Sequence, residues 1–184
     1  MNNKIVAPIF IFLLLSLMRL ASWEGYAPML AITLFAGAIG VSWRGSVLLP
    51  LAGLLMGDLL MALKMGDSYY DYFINGEYIG IYAIYLVSAF IGHRISGKVE
   101  IKNIAIGTVA SILLFFVVSN LMVWAAGLDF NSKPYAKDIS GLVLCYTNAL
   151  PFLLKSFIGN GSAAIILFGA YAWASKNSLV AKKA

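Results

Sequence analysis

The chain has 184 residues, of which 61% are hydrophobic and 11% charged, with a formal net charge of +5. Soluble domains carry about 25% charged residues, so the composition excludes an ordinary water-soluble fold and predicts one compact, all-α integral membrane domain. A single cysteine (Cys145) and a single histidine (His93) exclude an internal disulfide and Cys- or His-rich metal centres; no nucleic-acid motif is present, and no cofactor is expected.

A membrane-crossing helix needs about 20 apolar residues, range about 17–25. Residues 4–22 supply the first span, opened by Lys4 and closed by Arg19. Their apolar run is long for a signal peptide and lacks a clear small-x-small cleavage site, so a retained helix is expected. After a short loop with Trp23 and Glu24, residues 27–42 form a second span rich in Ala and Gly, residue types that let helix backbones approach closely. The turn Trp43-Arg44-Gly45 leads into a third span, 46–63, in which Gly53 and Gly57 lie four apart and a carboxylate, Asp58, interrupts the apolar run. Such a residue costs about 2.5–3.5 kcal/mol at the centre of a membrane helix and normally faces a partner or a wet cavity.

A polar, aromatic loop carrying Tyr69, Tyr70 and Tyr72 precedes the fourth span, 77–96. A basic loop with Arg94, Lys98 and Lys102 against Glu100 precedes the fifth, 104–126. Residues 127–140 read as loop. The segment 139–152 is apolar but interrupted by Asn148 and Pro151, and Pro inside a helix removes a donor and clashes with the preceding turn. It is therefore expected to be a short re-entrant or interfacial helix, with 157–175 as the sixth span and a basic tail beyond.

Six spans place Lys4, Arg44, Arg94, Lys98, Lys102 and the tail lysines on one side, against Glu100 alone. Arg19, Lys64, Lys133, Lys137, Lys155 and the remaining acids fall on the other. By the positive-inside rule both termini are cytoplasmic, which implies a multi-pass protein of a bacterial inner membrane. On this topology the polar residues within spans gather in the outer half: Arg19, Asp58, Ser119, Asn120, Trp124, Lys155 and Asn160, beside a tyrosine stripe at 78, 82 and 85. Ion channels distribute such groups along their depth. A one-sided cluster instead predicts an outward-facing pocket, closed below, for a small molecule with a flat ring.

Each residue also has a plainer reading. Tyr78 and Trp124 fit an interfacial aromatic belt, Asn120 a bond between neighbouring helices, and Arg19, Lys64 and Lys155 side chains that snorkel to headgroups. Asp58 fits an ion pair with Arg19 or Lys155 that closes the bundle. No HExxH, Walker A sequence or intramembrane Ser/His pair supports an enzyme.

The run APMLAITLFAGAIGVSWRGSVLLPLAGLLMGDLLMAL (27–63), the helix end FFVVSNLMVWAAG (115–127) and the segment GLVLCYTNALPFLLKSFIGN (141–160) carry a family resemblance. They resemble an uncharacterised bacterial family of small six-span transport-type proteins, itself similar to the substrate-binding (S) components of energy-coupling-factor vitamin transporters. The resemblance implies a six-helix bundle that binds a vitamin at the outer face. It also implies as partners a transmembrane coupling protein and two ATPases. The expected function is uptake of a small vitamin-like or heterocyclic substrate. Asp58, Asn120, Trp124, Tyr146 and Asn148 are the expected pocket residues, Arg19 and Lys155 the expected charges, and Tyr69 and Tyr70 part of a lid. The rivals are a structural or assembly subunit that uses the Gly53–Gly57 face, and a proton-coupled transporter that uses Asp58.

Overall fold

The computed structural model describes residues 3–21, 26–39, 42–66, 69, 76–127 and 133–181. They form six helices: α1 (Asn3–Leu20), α2 (Met29–Ile39), α3 (Trp43–Met65), α4 (Gly76–Ile95), α5 (Ile101–Ala126) and α6 (Ile139–Ala181). The described residues contain no sheet. Three helices are long and apolar enough to cross a membrane: α3, α5 and Ile139–Ser175 of α6. The remaining three contribute shorter apolar helices, Ile9–Leu20, Met29–Ile39 and Ile79–Ile95. Large apolar side chains such as Leu63, Ile101, Ile165 and Trp173 stand more than half exposed on the outside. A surface of that kind suits hydrocarbon and not water, and the chain has the character of a membrane protein.

α2 is the central pillar. It packs against all five other helices, and every residue from Met29 to Ala38 is buried. A helix that is apolar all round belongs in such a position. Lipid tails are as apolar as leucine, so helices in a membrane are held by close packing more than by exclusion of water. The sequence supplies that closeness where α2 crosses α4. A Cβ added to Gly37 would lie 2.0 Å from the Ala89 carbonyl oxygen, and one added to Gly92 would lie 2.0 Å from that of Leu34. The two backbones touch, and only glycine fits at either point.

The Gly53–Gly57 pair does the same work for α1 and α3. A Cβ at Gly53 would meet Leu15 at 2.9 Å, and one at Gly57 would meet Arg19 Cβ at 2.6 Å. The Ser16 hydroxyl seals this seam by donating to the Gly53 carbonyl at 3.1 Å. This face is therefore covered within the chain.

The structure departs from the sequence-based expectation in α6. Residues 139–152 are not a separate interfacial helix but the opening third of one helix of 43 residues. Pro151 lies inside it, as Pro50 lies inside α3. Proline lacks only its own N–H, and neighbouring helices stabilise the turn around it, so membrane helices accommodate it. α6 runs antiparallel to α5 from about Tyr146 to Phe168. The Tyr146 hydroxyl donates to the Val117 carbonyl at 2.6 Å near one end, and Ile104 and Phe168 line the same groove near the other. Asp138 starts α6: its carboxylate accepts the Gly141 N–H and the Ser140 hydroxyl, both at 2.8 Å. These bonds, the Gly141 one foremost, hold the Asp138 carboxyl below the usual carboxylate range.

Candidate substrate cavity

Two polar constellations occupy the same end of the bundle. The first surrounds Asp58, which is fully buried near the end of α3. Arg19, the penultimate residue of α1, reaches it with Nε 2.6 Å from Oδ1. The Tyr69 hydroxyl donates to Oδ1 at 2.6 Å, and the Tyr82 hydroxyl donates to Oδ2 at 2.5 Å. Burial, with the Asp58 hydrogen bond, pushes the Tyr69 hydroxyl above the usual phenol range. A buried carboxylate is tolerable only when paired and hydrogen-bonded, and Gly57 permits the approach by leaving room for the Arg19 stem.

The second is a cavity of about 290 Å³ bounded by α2, α4, α5 and α6. Its walls are the rings of Tyr85, Phe115, Phe116 and Phe152. Its polar groups are Ser119, Asn120, Ser156 and Asn160. Phe152, Ser156 and Asn160 follow one another at intervals of four, so α6 presents them as a single stripe. Below the cavity, the Ser88 hydroxyl donates to the Leu30 carbonyl and is hydrogen-bonded to Ser111, each at 3.0 Å, which ties α4 to α2 and α5. α4 serves both constellations, since Tyr85 lines the cavity and Tyr82, about one turn earlier, donates to Asp58.

Asn160 is fixed on all sides. Its Oδ1 accepts the Ala31 N–H at 3.0 Å, and its Nδ2 donates to the carbonyls of Ala27 at 3.3 Å and Ser156 at 3.1 Å. Pro28, just before α2, has no side chain that can cap a helix, and Asn160 supplies that cap from α6. Asn120 is less committed: its Nδ2 donates to Phe116 O at 2.7 Å, and the residue lines the cavity.

Of the residues expected at the site, Asn120 lines the cavity and Asp58, Arg19 and Tyr69 form the neighbouring cluster. Trp124 lies further along α5, where its Nε1 donates to Ala136 O at 2.9 Å. Lys137 sits over the Trp124 ring and donates to the Trp124 carbonyl. Tyr146 packs edge-on against Phe116 and therefore backs the cavity wall. Asn148 contacts the Tyr135 hydroxyl at 3.4 Å. Lys155 holds its Nζ 5.4 Å from the Tyr26 ring centroid and 5.7 Å from that of Phe152, with no carboxylate partner among the described residues. It is thus a cation beside the cavity, next in sequence to the lining residue Ser156. Tyr70 lies outside the described residues. The rings of Phe115, Phe116 and Phe152 were not anticipated, although the i, i+4 spacing of Phe116 with Asn120 and of Phe152 with Ser156 places them on shared faces.

Comparison with known proteins decides the family. The chain belongs to the Family of unknown function (DUF6580), whose model matches residues 1–182. No curated protein and no solved structure matches it. The match covers all six helices of the DUF6580 chain, including both polar constellations.

Proposed function

We propose that this chain is a membrane uptake protein that binds a small vitamin-like or heterocyclic molecule in the cavity between α2, α4, α5 and α6. The observation that carries the reading is the cavity itself: four aromatic rings with four hydrogen-bonding side chains converging at one end of the bundle. Small-molecule sites are typically apolar clefts of about 300–1,000 Å³ with few polar groups, and about 290 Å³ suits a molecule of one or two rings. Arg19 already faces Asp58, so Lys155 is the cation placed to meet an anionic group on the substrate. The likeness to S components supports an ATPase-driven coupling partner, an inner-membrane location and cytoplasmic termini as part of the same proposal.

A second reading is proton-coupled transport through Asp58. The Tyr69–Asp58–Tyr82 chain of short hydrogen bonds favours it. Uptake would then collapse with an uncoupler and in Asp58→Asn.

The test is to purify the protein gently from its native membrane, denature it, and identify released small molecules by mass spectrometry. Wild type should release one stoichiometric heterocycle. Ser119→Trp, which fills the cavity, should release none while remaining folded. Equal release from both, or none from wild type after incubation with membrane extract, would overturn the reading.

A further inference from the structure

A second cavity, of about 590 Å³, lies on the outer side of the bundle between α5 and the second half of α6. It is a groove, lined by Val99, Ile104, Ala105, Phe157, Ala164 and Phe168 among other apolar groups. Its polar lining residue, Thr108, donates to Ile104 O of its own helix at 2.8 Å and offers a ligand little. Gly161 and Gly169 open into it, for a Cβ on either would meet nothing within 4 Å. From Ile101 to Ile112 the groove follows α5 for about 16 Å at 1.5 Å per residue, close to one leaflet of a hydrocarbon core about 30 Å thick.

The groove ends at the start of α5, where the chemistry changes sign. Glu100 occupies the N-cap position in extended conformation, but its side chain makes no capping bond. The first-turn N–H groups of a 26-residue helix are therefore left without a side-chain acceptor, a site that favours phosphate. The Asn103 amide Nδ2 donates to Lys98 O at 2.8 Å and ties the turn before α5 to the helix. Lys98 and Lys102 flank this turn, both exposed, and neither pairs with an acid among the described residues. Arg94 adds a third cation nearby in sequence, and Glu100 is the one acid in the stretch.

We propose that this groove holds an acyl chain of an anionic phospholipid, with the lipid phosphate at the first turn of α5 between Lys98 and Lys102. The apolar length, the uncapped helix start and the two lysines match the parts of such a lipid in order. A second protein helix would fill the groove but leave the lysines and the helix start unanswered.

The full chain, reconstituted in vesicles of phosphatidylcholine with a minor fraction of phosphatidylglycerol and then extracted in detergent, should retain phosphatidylglycerol above its bulk share. Each basic residue near a membrane surface contributes about a fivefold preference, so Lys98→Gln/Lys102→Gln should lower the enrichment by about thirtyfold. Arg44→Gln removes a cation from the same end of the bundle but away from the groove, and it should leave the enrichment unchanged. Gly161→Trp, which blocks the groove, should abolish retention of either lipid. Three results would overturn the proposal: no enrichment in wild type, enrichment that survives loss of both lysines, or an Arg44→Gln loss equal to the double variant's. A dimer that Gly161→Trp dissolves without any change in bound lipid would overturn it in favour of a second copy.

Discussion

Removing one partner of the Arg19–Asp58 pair should cost more than removing both. The Asp58 side chain is 1% exposed and that of Arg19 is 19% exposed. Arg19→Met leaves a buried carboxylate that has lost its cation while still accepting from the Tyr69 and Tyr82 hydroxyls. Deleting one member of a buried pair typically costs about 3–5 kcal/mol, and the near-zero exposure of Asp58 puts Arg19→Met in that range. Asp58→Leu leaves a guanidinium that can turn toward the polar boundary, together with two phenols that have lost an acceptor. Its cost should fall at the lower end, about 3 kcal/mol. The double variant strands no charge and strands only the phenols, each about 1 kcal/mol, so it should lie within about 2 kcal/mol of wild type. The coupling energy is then about 4 kcal/mol or more in favour of the pair. Unfolding in mixed micelles of rising SDS fraction, followed by circular dichroism, measures all four corners of this cycle. Additive single costs, with coupling below about 0.5 kcal/mol, would refute the view that Asp58 is held in the bundle by Arg19. Ligand release from the same variants adds a second readout. A stable double variant that keeps its ligand would assign the pair to architecture and leave binding to the cavity.

Asn160→Leu leaves the buried Ala31 N–H without its acceptor and should cost about 1–3 kcal/mol in the same unfolding assay; Asn160→Asp, which keeps an acceptor, should recover part of it. Gly37→Ala and Gly92→Ala each drive a methyl into a facing carbonyl oxygen and should each destabilise by about 1–3 kcal/mol, whereas Gly161→Ala and Gly169→Ala, which meet open space, should not. Asp138 carries its capping contribution as an anion, and its folded-state carboxyl is held low. That contribution is present above the ordinary carboxyl range and is lost as pH falls through the lowered folded value. Amide protection at Ser140–Leu142, normalised for intrinsic exchange, should therefore drop at acid pH in wild type and stay flat in Asp138→Asn, which caps without titrating.

The sequence made the apolar segments legible because a long run without charges has few alternatives to a helix. It also revealed that Arg19, Asp58, Asn120 and Asn160 lie toward one end, since that follows from their positions along the helices. What it hid was lateral arrangement. Asp58 and Asn120 sit at similar depth but in different constellations, and no periodicity states which neighbour a helix face meets. Gly53 and Gly57 likewise read as a packing face without revealing that α1 covers it. Pro151 misled because its local effect on hydrogen bonding is the same whether the helix ends or continues; the antiparallel contact with α5 carries α6 past it. The cavity's aromatic walls were obscured for a simpler reason: in a chain this rich in phenylalanine, a ring facing a cavity and a ring facing lipid look alike.

The cap that Asn160 provides for α2 has a consequence for how the protein is made. Its acceptor lies 129 residues downstream of Ala31. At synthesis rates of about 5–20 residues per second, that gap corresponds to about 6–26 s during which α2 is already out of the ribosome. Throughout that interval the innermost helix lacks the wall that finishes it, and assembly of the bundle has to end with α6 closing over a helix synthesised near the beginning. A ribosome-arrested chain that stops before residue 160 emerges should leave Ala36→Cys open to a membrane-permeant thiol reagent, and one extended past 181 should protect it. Protection already present in the shorter chain would mean that α2 is buried without its cap. α6 would then be an addition to a finished core and not its closing element.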